Sequence, residues 1–347
     1  MVLTLRLREP VGVSPWPEFA GYFSDTKNYC YSRMLAHMRL KLVPSTLAIL
    51  LSQSLPIRSF RMSLPPWSLG VFTSIDAGLG VHLEVARDLQ IPSIQLHTPH
   101  AEGRTPEAAE TFLKKLEDYR IELTCVFGGF EGESYADIPT VEKTIGLVPI
   151  STRSARLKEM KEISDFTRLL GCSAIGLHLG VVPHDIKSRE YTDIVDITRQ
   201  LCDHAMHNEQ NVHLETGQES ADALMQFIGD TQRANLFINF DPANMILYGM
   251  GEPIPALKKV GSHVRSIHCK DATWSDQPGI TWGAEVPLGK GQVDMRAYLA
   301  TLKEIGYYGP LTIEREIPQD RERQKAEIQH ATELLSQLRK ELLSPDG

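Results

Sequence analysis

The sequence predicts an α/β fold, a (β/α)8 TIM barrel with an irregular N-terminal leader. Eight short apolar runs alternate with amphipathic segments of helical periodicity along most of the chain. This alternation is typical of parallel strands joined by helical crossovers, and eight repeats close a barrel. The predicted strands are residues 69–75, 93–97, 121–127, 174–179, 211–215, 236–241, 264–268 and 311–314.

The helices between these strands are indicated by their apolar spacing and by the signals at their ends. Thr105 followed by Pro106 is typical of a helix start, and Gly171 is typical of a helix end. Residues 128–148 are rich in glycine and acidic side chains and are predicted to form a long loop. The predicted helices are residues 81–90, 105–119, 154–170, 188–207, 220–228, 254–260, 295–305 and 321–342.

The barrel is assigned to residues 67–347, a length sufficient for a fold that needs about 250 residues. Residues 1–66 mix proline, serine, aromatic and basic side chains without a sustained period, so we expect an irregular or disordered leader. A cap on the bottom of the barrel is the alternative for this leader. An open doubly wound sheet is the alternative fold, but Asp76-Ala-Gly-Leu-Gly80 lacks the third glycine of a dinucleotide-binding turn.

The composition of the chain indicates which kinds of partner it is expected to bind. The 347 residues are 42% hydrophobic, which is enough for a large core, and their net charge of −8 disfavours a nucleic-acid partner. No apolar run reaches the roughly 18–20 residues of a transmembrane helix, so we expect no membrane partner. The five cysteines show no paired spacing, which favours a reducing, cytoplasmic compartment. The sequence leaves a homo-oligomer open.

Four predicted strands end on a side chain that can bind a hard cation: Glu215, Asp241, His268 and Glu314. Because the carboxyl ends of barrel strands converge on one face, these residues can meet at one point. Three carboxylates and one imidazole form a suitable ligand set for a divalent metal. A single acidic residue at a strand end is more often a helix cap or a solvated loop residue, but four on consecutive strands predict a metal site.

Five segments resemble the sugar phosphate isomerase/epimerase superfamily of xylose isomerase-like TIM barrels. They are Leu214-Glu-Thr-Gly217, Asn239-Phe-Asp-Pro-Ala-Asn244, Ile267-His-Cys-Lys-Asp271, Pro287-Leu-Gly-Lys-Gly291 and Leu311-Thr-Ile-Glu314. The resemblance extends from the first predicted strand to the C-terminal helix and leaves out the leader. It implies one divalent cation, Mn²⁺ first with Mg²⁺ or Co²⁺ as alternatives, held by Glu215, Asp241, His268 and Glu314.

The same resemblance implies isomerisation or epimerisation of a sugar or polyol ketone, so the implied partner is a small-molecule carbohydrate. Glu215 and Glu314 would be the catalytic pair. One would remove a proton beside the carbonyl and the other would return one, through a metal-stabilised enediolate. The alternatives are an inosose dehydratase-like lyase, which begins with the same proton abstraction, and a non-catalytic metal- or sugar-binding barrel.

Two positions depart from the epimerase pattern. Asn244 stands where these enzymes carry a histidine, and Trp274 stands where they carry an arginine. Both family residues bind substrate hydroxyls, so Asn244 and Trp274 are candidate substrate-binding residues, although Trp274 lacks the charge of arginine. The departures count against a 3-epimerase of free ketohexoses. The missing histidine also counts against the apurinic endonuclease branch, which uses three metals.

Four further residues are candidates for substrate binding because of their places in the predicted barrel. His178 and His97 stand at the ends of the fourth and second strands, at the mouth. Lys270 is two residues after His268, so in an extended strand both side chains point into the barrel. Asp271 follows Lys270 and could also orient the His268 ring. The alternatives are a structural role for each of the two histidines, a solvated side chain for Lys270 and a loop cap for Asp271.

Overall fold

The computed structural model describes residues 64–76 and 78–344. All of the predicted leader except residues 64–66 lies outside the described residues. Within the described part, the chain passes repeatedly from a strand to one or more helices and on to the next strand. This is the connectivity that a parallel barrel requires.

Eight parallel strands form a closed barrel, which confirms the predicted fold class. They are β1 (Leu69–Ser74), β2 (Ser93–His97), β3 (Glu122–Gly128), β4 (Ala174–Leu177), β5 (Asn211–Glu215), β6 (Leu236–Phe240), β7 (Val264–Cys269) and β10 (Leu311–Ile313). Neighbours in the barrel follow chain order, and β10 closes it by pairing with β1 and β7. Between β7 and β10, an antiparallel pair forms a separate hairpin from β8 (Asp271–Thr273) and β9 (Ala284–Val286).

The crossover helices surround the barrel, and several of them begin at a polar side chain that caps the first turn. Thr105, Ser188 and Ser220 each accept a backbone N–H from the first turn of their helix, at 3.1–3.3 Å. The helices of the described residues are α1 (Leu83–Asp88), α2 (Pro106–Tyr119), α3 (Ile138–Thr144), α4 (Ile150–Leu169), α5 (Arg189–His207), α6 (Ala221–Thr231), α7 (Pro242–Tyr248), α8 (Pro253–Val260), α9 (Met295–Glu304) and α10 (Arg321–Leu343).

The prediction of a loop over residues 128–148 is wrong where α3 lies. Asp137 caps α3 by accepting a hydrogen bond from the backbone N–H of Thr140 at 2.7 Å, and Pro139 stands in the first turn. Surrounding glycines and acidic residues obscure these two signals in the sequence. The predicted elements also omit α7 and the β8–β9 hairpin, and both of these lie next to the mouth of the barrel.

Two apolar layers hold the barrel together. The larger lies between the strands and the helices, and residues such as Ile94 and Leu96 are fully buried there. A smaller cluster of Phe72, Cys125, Phe127 and Ala174 is separate from it. The rings of Phe72 and Phe127 contact the ring of His268, so this cluster lies inside the barrel beneath the predicted metal site. The site therefore has a packed floor.

The structure also bears on the cysteines and on the prediction that no helix crosses a membrane. Cys125, Cys172, Cys202 and Cys269 are buried and form no disulfide within the described part of the chain. Burial is also the main reason that the pKa of Cys202 is raised to about 12. Among the helices of residues 64–76 and 78–344, none combines the length and apolar character needed to cross a bilayer.

Candidate metal centre

Four ligand-type side chains converge at the carboxyl ends of β5, β6, β7 and β10. Glu215 is the last residue of β5, and His268 lies one residue before the end of β7. Asp241 and Glu314 each follow directly after their strands. All four are buried, and one ligand atom from each lies within 4.8 Å of those of the other three. The structure thus brings together the complete predicted ligand set, which could hold a metal ion.

The carboxylates converge on the Nδ1 atom of His268. Glu215 Oε1 and Glu314 Oε2 each lie 2.8 Å from this nitrogen, and Asp241 Oδ2 lies 3.6 Å from it. In the sheet, β5 and β10 flank the pair formed by β6 and β7. The two glutamates therefore reach the same nitrogen from strands that are three positions apart in the barrel.

Asp241 has one oxygen committed to the fold and one directed at the cluster. Its Oδ1 accepts hydrogen bonds from the backbone N–H groups of Ala243 and Asn244, at 2.8 and 3.0 Å, and thereby caps α7. Its Oδ2 is buried without a hydrogen-bond partner among the described residues. Because buried carboxylate oxygens are rarely left without a partner, this atom fits a role as a metal ligand.

The ring of His268 is oriented by polar residues that the sequence patterns did not indicate. Its Nε2 lies 2.7 Å from Gln95 Oε1, which can only accept, so Nε2 carries a proton and Nδ1 faces the carboxylates. Asn239 Nδ2 lies 3.2 Å from His268 Nδ1, and Asn239 Oδ1 accepts a hydrogen bond from the Gln95 amide. Partners of this kind commonly fix the tautomer of metal-binding histidines. Their polar character at inward positions of β2 and β6 is the signal that could have revealed them.

The side chains of the cluster perturb one another's protonation. Burial raises the pKa of Asp241 to about 6. Burial would also raise the pKa of Glu215, but the imidazoles of His178 and His268 outweigh it and lower that pKa to about 2. Burial would lower the pKa of His268, whereas Glu314 and Glu215 raise it well above its ordinary value. The cluster therefore strongly attracts positive charge to one buried point, as a cation site must.

His178 and Asn244 both contact Glu215. His178 Nε2 lies 2.9 Å from Glu215 Oε2, and Asn244 Nδ2 donates a hydrogen bond to Glu215 Oε1 at 3.3 Å. His178 Nδ1 lies 2.6 Å from the amide of Gln218, which also contacts the hydroxyl of Tyr248. Burial would lower the pKa of His178, but Glu215 raises it to about 9. These two candidates thus lie beside one of the proposed catalytic carboxylates.

Lys270 directs a buried ammonium group into the same cluster. Its Nζ lies 3.3 Å from Glu314 Oε2, 3.4 Å from Asn244 Oδ1 and 3.8 Å from Asp241 Oδ2. Burial would lower the pKa of Lys270, but Glu314, Glu285 and Asp241 raise it well above its ordinary value. The side chain is therefore a fixed cation beside the proposed ligands.

Asp271, in contrast, directs its carboxylate at backbone groups. The donors are the N–H groups of Ala272, Gly289, Gly291 and Val293, at 2.9–3.0 Å. These bonds fasten the start of the hairpin to the turn at residues 289–293. Gln95, and not Asp271, is the residue that contacts the Nε2 atom of the His268 ring.

His97 and Trp274 stand at the mouth without contacts to the four ligands in the described structure. His97 ends β2, its Nδ1 lies 3.0 Å from the carbonyl oxygen of Thr98, and burial lowers its pKa. Trp274 follows β8, and its backbone N–H donates to Gln292 Oε1 at 2.7 Å. Substrate binding by these two residues stays a prediction.

Aromatic side chains from two loops border the site. Tyr135, which precedes α3, packs edge-on against His178 with ring centroids 5.8 Å apart, and it is 44% exposed. Trp282, within the hairpin, packs edge-on against Tyr248 with centroids 4.6 Å apart. No periodicity or motif in the sequence indicates Tyr135, because its place depends on the folded loop.

Comparison with known proteins finds a family model and solved structures that the barrel resembles. Residues 83–338 match the family model described as xylose isomerase-like TIM barrel. The crystal structure of a xylose isomerase domain protein from Planctomyces limnophilus is 59% identical with a TM-score of 0.79, and the match covers 80% of this chain and 99% of that one. The IOLI protein, solved with a bound zinc atom, is 18% identical with a TM-score of 0.60, at 80% and 99% coverage.

A curated enzyme also matches part of the barrel. The L-ribulose 3-epimerase of Methylomonas sp. (strain DH-1) is 25% identical over 168 residues, which are 45% of this chain. They are 54% of the enzyme, so the chain spans about half the length of this curated relative. The family model, in contrast, extends over all four candidate ligand residues and most of the described barrel. The chain therefore belongs to the family of xylose isomerase-like TIM barrels.

Proposed function

We propose that this protein is a divalent-metal-dependent isomerase or epimerase that acts on a sugar or polyol ketone by proton transfer. The observation that carries the proposal is the pair of buried carboxylates, Glu215 and Glu314, each 2.8 Å from His268 Nδ1 and each at the end of a strand that does not neighbour the other. Removing a proton and returning one requires two such groups held around one substrate. The name of the L-ribulose 3-epimerase supports this class of reaction.

The converging residues fit a cation, since Asp241 Oδ2 is buried without a hydrogen-bond partner among the described residues. Glu215, Asp241, His268 and Glu314 would hold the ion. Three hard oxygens and one imidazole nitrogen suit Mn²⁺, with Mg²⁺ or Co²⁺ as alternatives. A bound divalent ion supplies Lewis acidity, which polarises a ketone carbonyl and acidifies the adjacent C–H. The zinc bound by the IOLI protein supports a divalent ion.

Glu215 and Glu314 have different neighbours, which suits them to different halves of a proton transfer. Glu215 accepts from Asn244 and contacts His178, whereas Glu314 accepts from Lys270 at 3.3 Å. Despite burial, the cations His268 and Lys270 hold the pKa of Glu314 well below its ordinary value. Both carboxylates are therefore ionised in the free protein. One of them must take up a proton as the substrate binds, so that it can return that proton after the other has removed one.

The residues around this pair would orient the substrate. His178, Asn244 and Lys270 offer hydrogen-bonding groups within 3.5 Å of Glu215 or Glu314, so a polyol held there can reach them. We include His97 and Trp274 as proposed contacts because of their places at the mouth, and Asp271 as a residue that holds the turn at residues 289–293 beside it. We also propose a reducing, cytoplasmic location, which the free buried thiols support, and a homo-oligomer, which sedimentation would test.

A substrate screen with matched variants tests the proton-transfer assignment. Ketoses and inososes are incubated with Mn²⁺, and new isomers are detected by chromatography. At saturating Mn²⁺, Glu215→Gln and Glu314→Gln should each lower kcat by about 100-fold or more, because the amide cannot accept the proton. Glu117→Gln, on the exposed face of α2, should leave kcat unchanged. Full turnover by either site variant would disprove the assignment.

An inosose dehydratase-like elimination is the second candidate reaction. The observation that favours it is the Lys270 ammonium, which lies 3.3 Å from Glu314 Oε2 and could stabilise a departing hydroxyl group. The same screen separates the two reactions, because elimination releases water and forms an unsaturated product. Tight sugar binding without either product would identify a non-catalytic metal- or sugar-binding barrel.

A further inference from the structure

The β8–β9 hairpin brings an additional carboxylate to the edge of the metal centre. The two strands are antiparallel, and Ala272 pairs with Glu285 in their register. Lys270 directly precedes β8, so the return strand carries Glu285 back alongside it. The side chains of both residues are largely buried, at 8% exposed for Lys270 and 15% for Glu285. The hairpin is therefore part of the wall of the site.

Glu285 is held on one side and faces the ammonium group on the other. Its Oε1 accepts hydrogen bonds from Arg315 Nη1 at 2.6 Å and from the backbone N–H of Glu316 at 3.0 Å. Its Oε2 lies 3.7 Å from Lys270 Nζ. Arg315 is fixed in turn by Glu327 on α10, at 3.1 Å. The position of Glu285 is thus set by the segment after β10 and by α10 rather than by Lys270.

The ammonium group stands between Glu285 and two of the proposed metal ligands. Lys270 Nζ lies 3.3 Å from Glu314 Oε2 and 3.8 Å from Asp241 Oδ2. Charged hydrogen bonds close to about 2.7–2.9 Å when nothing restrains them. An ammonium group that closed on these oxygens would occupy the place and neutralise the charge that a divalent cation needs.

We propose that Glu285 is a positioning residue that restrains the Lys270 ammonium and so keeps Glu314 and Asp241 available to a divalent cation. Attraction between unit charges at about 4 Å is worth enough in a largely buried site to hold a flexible lysine side chain. Glu314 Oε2 is already the carboxylate oxygen nearest to Lys270 Nζ, at 3.3 Å, and Glu285 Oε2 at 3.7 Å opposes a closer approach to it. The inference rests on the metal centre of the proposed function, but it concerns cation affinity and not turnover.

The test is a calorimetric titration of the metal-free full chain with Mn²⁺ alone. Glu285→Gln should raise the Kd for Mn²⁺ about tenfold. Glu117→Gln is the control, because it removes one carboxylate from the exposed face of α2; it should leave the Kd unchanged. Lys270→Met removes the competing cation and should lower the Kd below that of the unmodified protein.

The double variant decides whether Glu285 acts through Lys270. If it does, adding Glu285→Gln to Lys270→Met leaves the Kd of the single Lys270→Met variant unchanged. A Kd raised equally in both backgrounds would show a direct effect of the Glu285 charge on the ion and would overturn the proposal. So would an unchanged Kd in Glu285→Gln alone.

A second variant keeps the test decisive if Glu285→Gln does not fold. Glu285→Asp keeps the negative charge near Arg315 but withdraws it from Lys270, so the Kd should rise by a smaller factor; an unchanged Kd would overturn the proposal. Turnover is not needed for any of these outcomes. Normal Mn²⁺ binding with the expected shifts but no reaction on any ketose would refute the proposed function and leave this inference standing.

Discussion

Asp241 joins the fold to the candidate metal centre through a single carboxylate. Its Oδ1 caps α7, and this bond fixes the rotation of the group, so Oδ2 is directed at His268 Nδ1 from 3.6 Å. Thr216 supports the same residue, because its hydroxyl donates to the carbonyl of Asp241 and accepts from its N–H, at 3.0 and 2.8 Å. A ligand oxygen positioned in this way loses little conformational freedom when it binds an ion.

Gln95 is a residue whose change should weaken metal binding without altering any ligand. Gln95→Leu keeps the approximate volume but removes the acceptor for the Nε2 proton of His268. We expect affinity for Mn²⁺ to fall by about 10- to 100-fold, the usual effect of losing a partner of a ligating histidine, in calorimetry on metal-free protein. Ser266→Ala is the control, because its hydroxyl contacts His213 in the same interior. Equal affinity for Gln95→Leu and the unmodified protein would contradict the orienting role of Gln95.

At the scale of elements, the turn at residues 289–293 is closely packed against the start of the hairpin. A Cβ at Gly291 would lie 2.1 Å from Asp271 Oδ1 and 2.6 Å from the carbonyl oxygen of Ala272. Asp271 cannot move aside without giving up its hydrogen bonds to the turn. Glycine is therefore required at position 291 because neighbouring atoms leave no room for a Cβ, and not because the backbone is left-handed.

Two glycine-to-alanine variants should have opposite effects on stability. Gly291→Ala should lower the free energy of unfolding by about 2–4 kcal/mol, because overpacking also breaks bonds to a buried carboxylate. Gly229→Ala, in α6, adds a Cβ with nothing within 4 Å and should raise that free energy by about 0.5–1 kcal/mol through helix propensity. Denaturant titration measures both. A Gly291→Ala variant as stable as the unmodified protein would show that the turn yields easily.

Periodicity predicted the elements whose stability comes from a long apolar face. All eight barrel strands and the long crossover helices are of this kind. The sequence did not predict α7, because its seven residues are all buried and show no polar face. The β8–β9 hairpin was missed for a related reason: its three-residue strands are too short for an alternation to be recognised.

At the scale of the whole molecule, topology explains which site residues the sequence could reveal. Glu215 and Glu314 were predictable because parallel strands bring their carboxyl ends to one face. Gln95 and Glu285 were not, because their roles depend on pairs formed across the barrel or along a hairpin. Parity within a strand tells which face a side chain occupies. It does not tell which side chain on another element it meets.

The pH dependence of global stability should include a contribution from Glu219, a buried residue that ties two loops at the mouth. Its Oε1 accepts the backbone N–H of Val182 at 2.9 Å, which joins the segment after β5 to the segment after β4. Burial raises the pKa of Glu219 from an ordinary 4.5 to about 7. The folded state therefore holds a proton that the unfolded chain releases between these values.

The sign of the effect follows from that difference in proton binding. The contribution of Glu219 to stability is fully present below about pH 4.5 and is lost as the pH rises through about 7. Glu219→Gln stays neutral and keeps an oxygen for Val182. It should therefore be more stable than the unmodified protein by up to about 3 kcal/mol at alkaline pH, and this advantage should fade in acid. Guanidinium unfolding across the pH range measures the difference, with the exposed Glu110→Gln as the control. An advantage that did not change with pH would show that Glu219 has the same pKa in the folded and unfolded states, and would contradict the raised pKa.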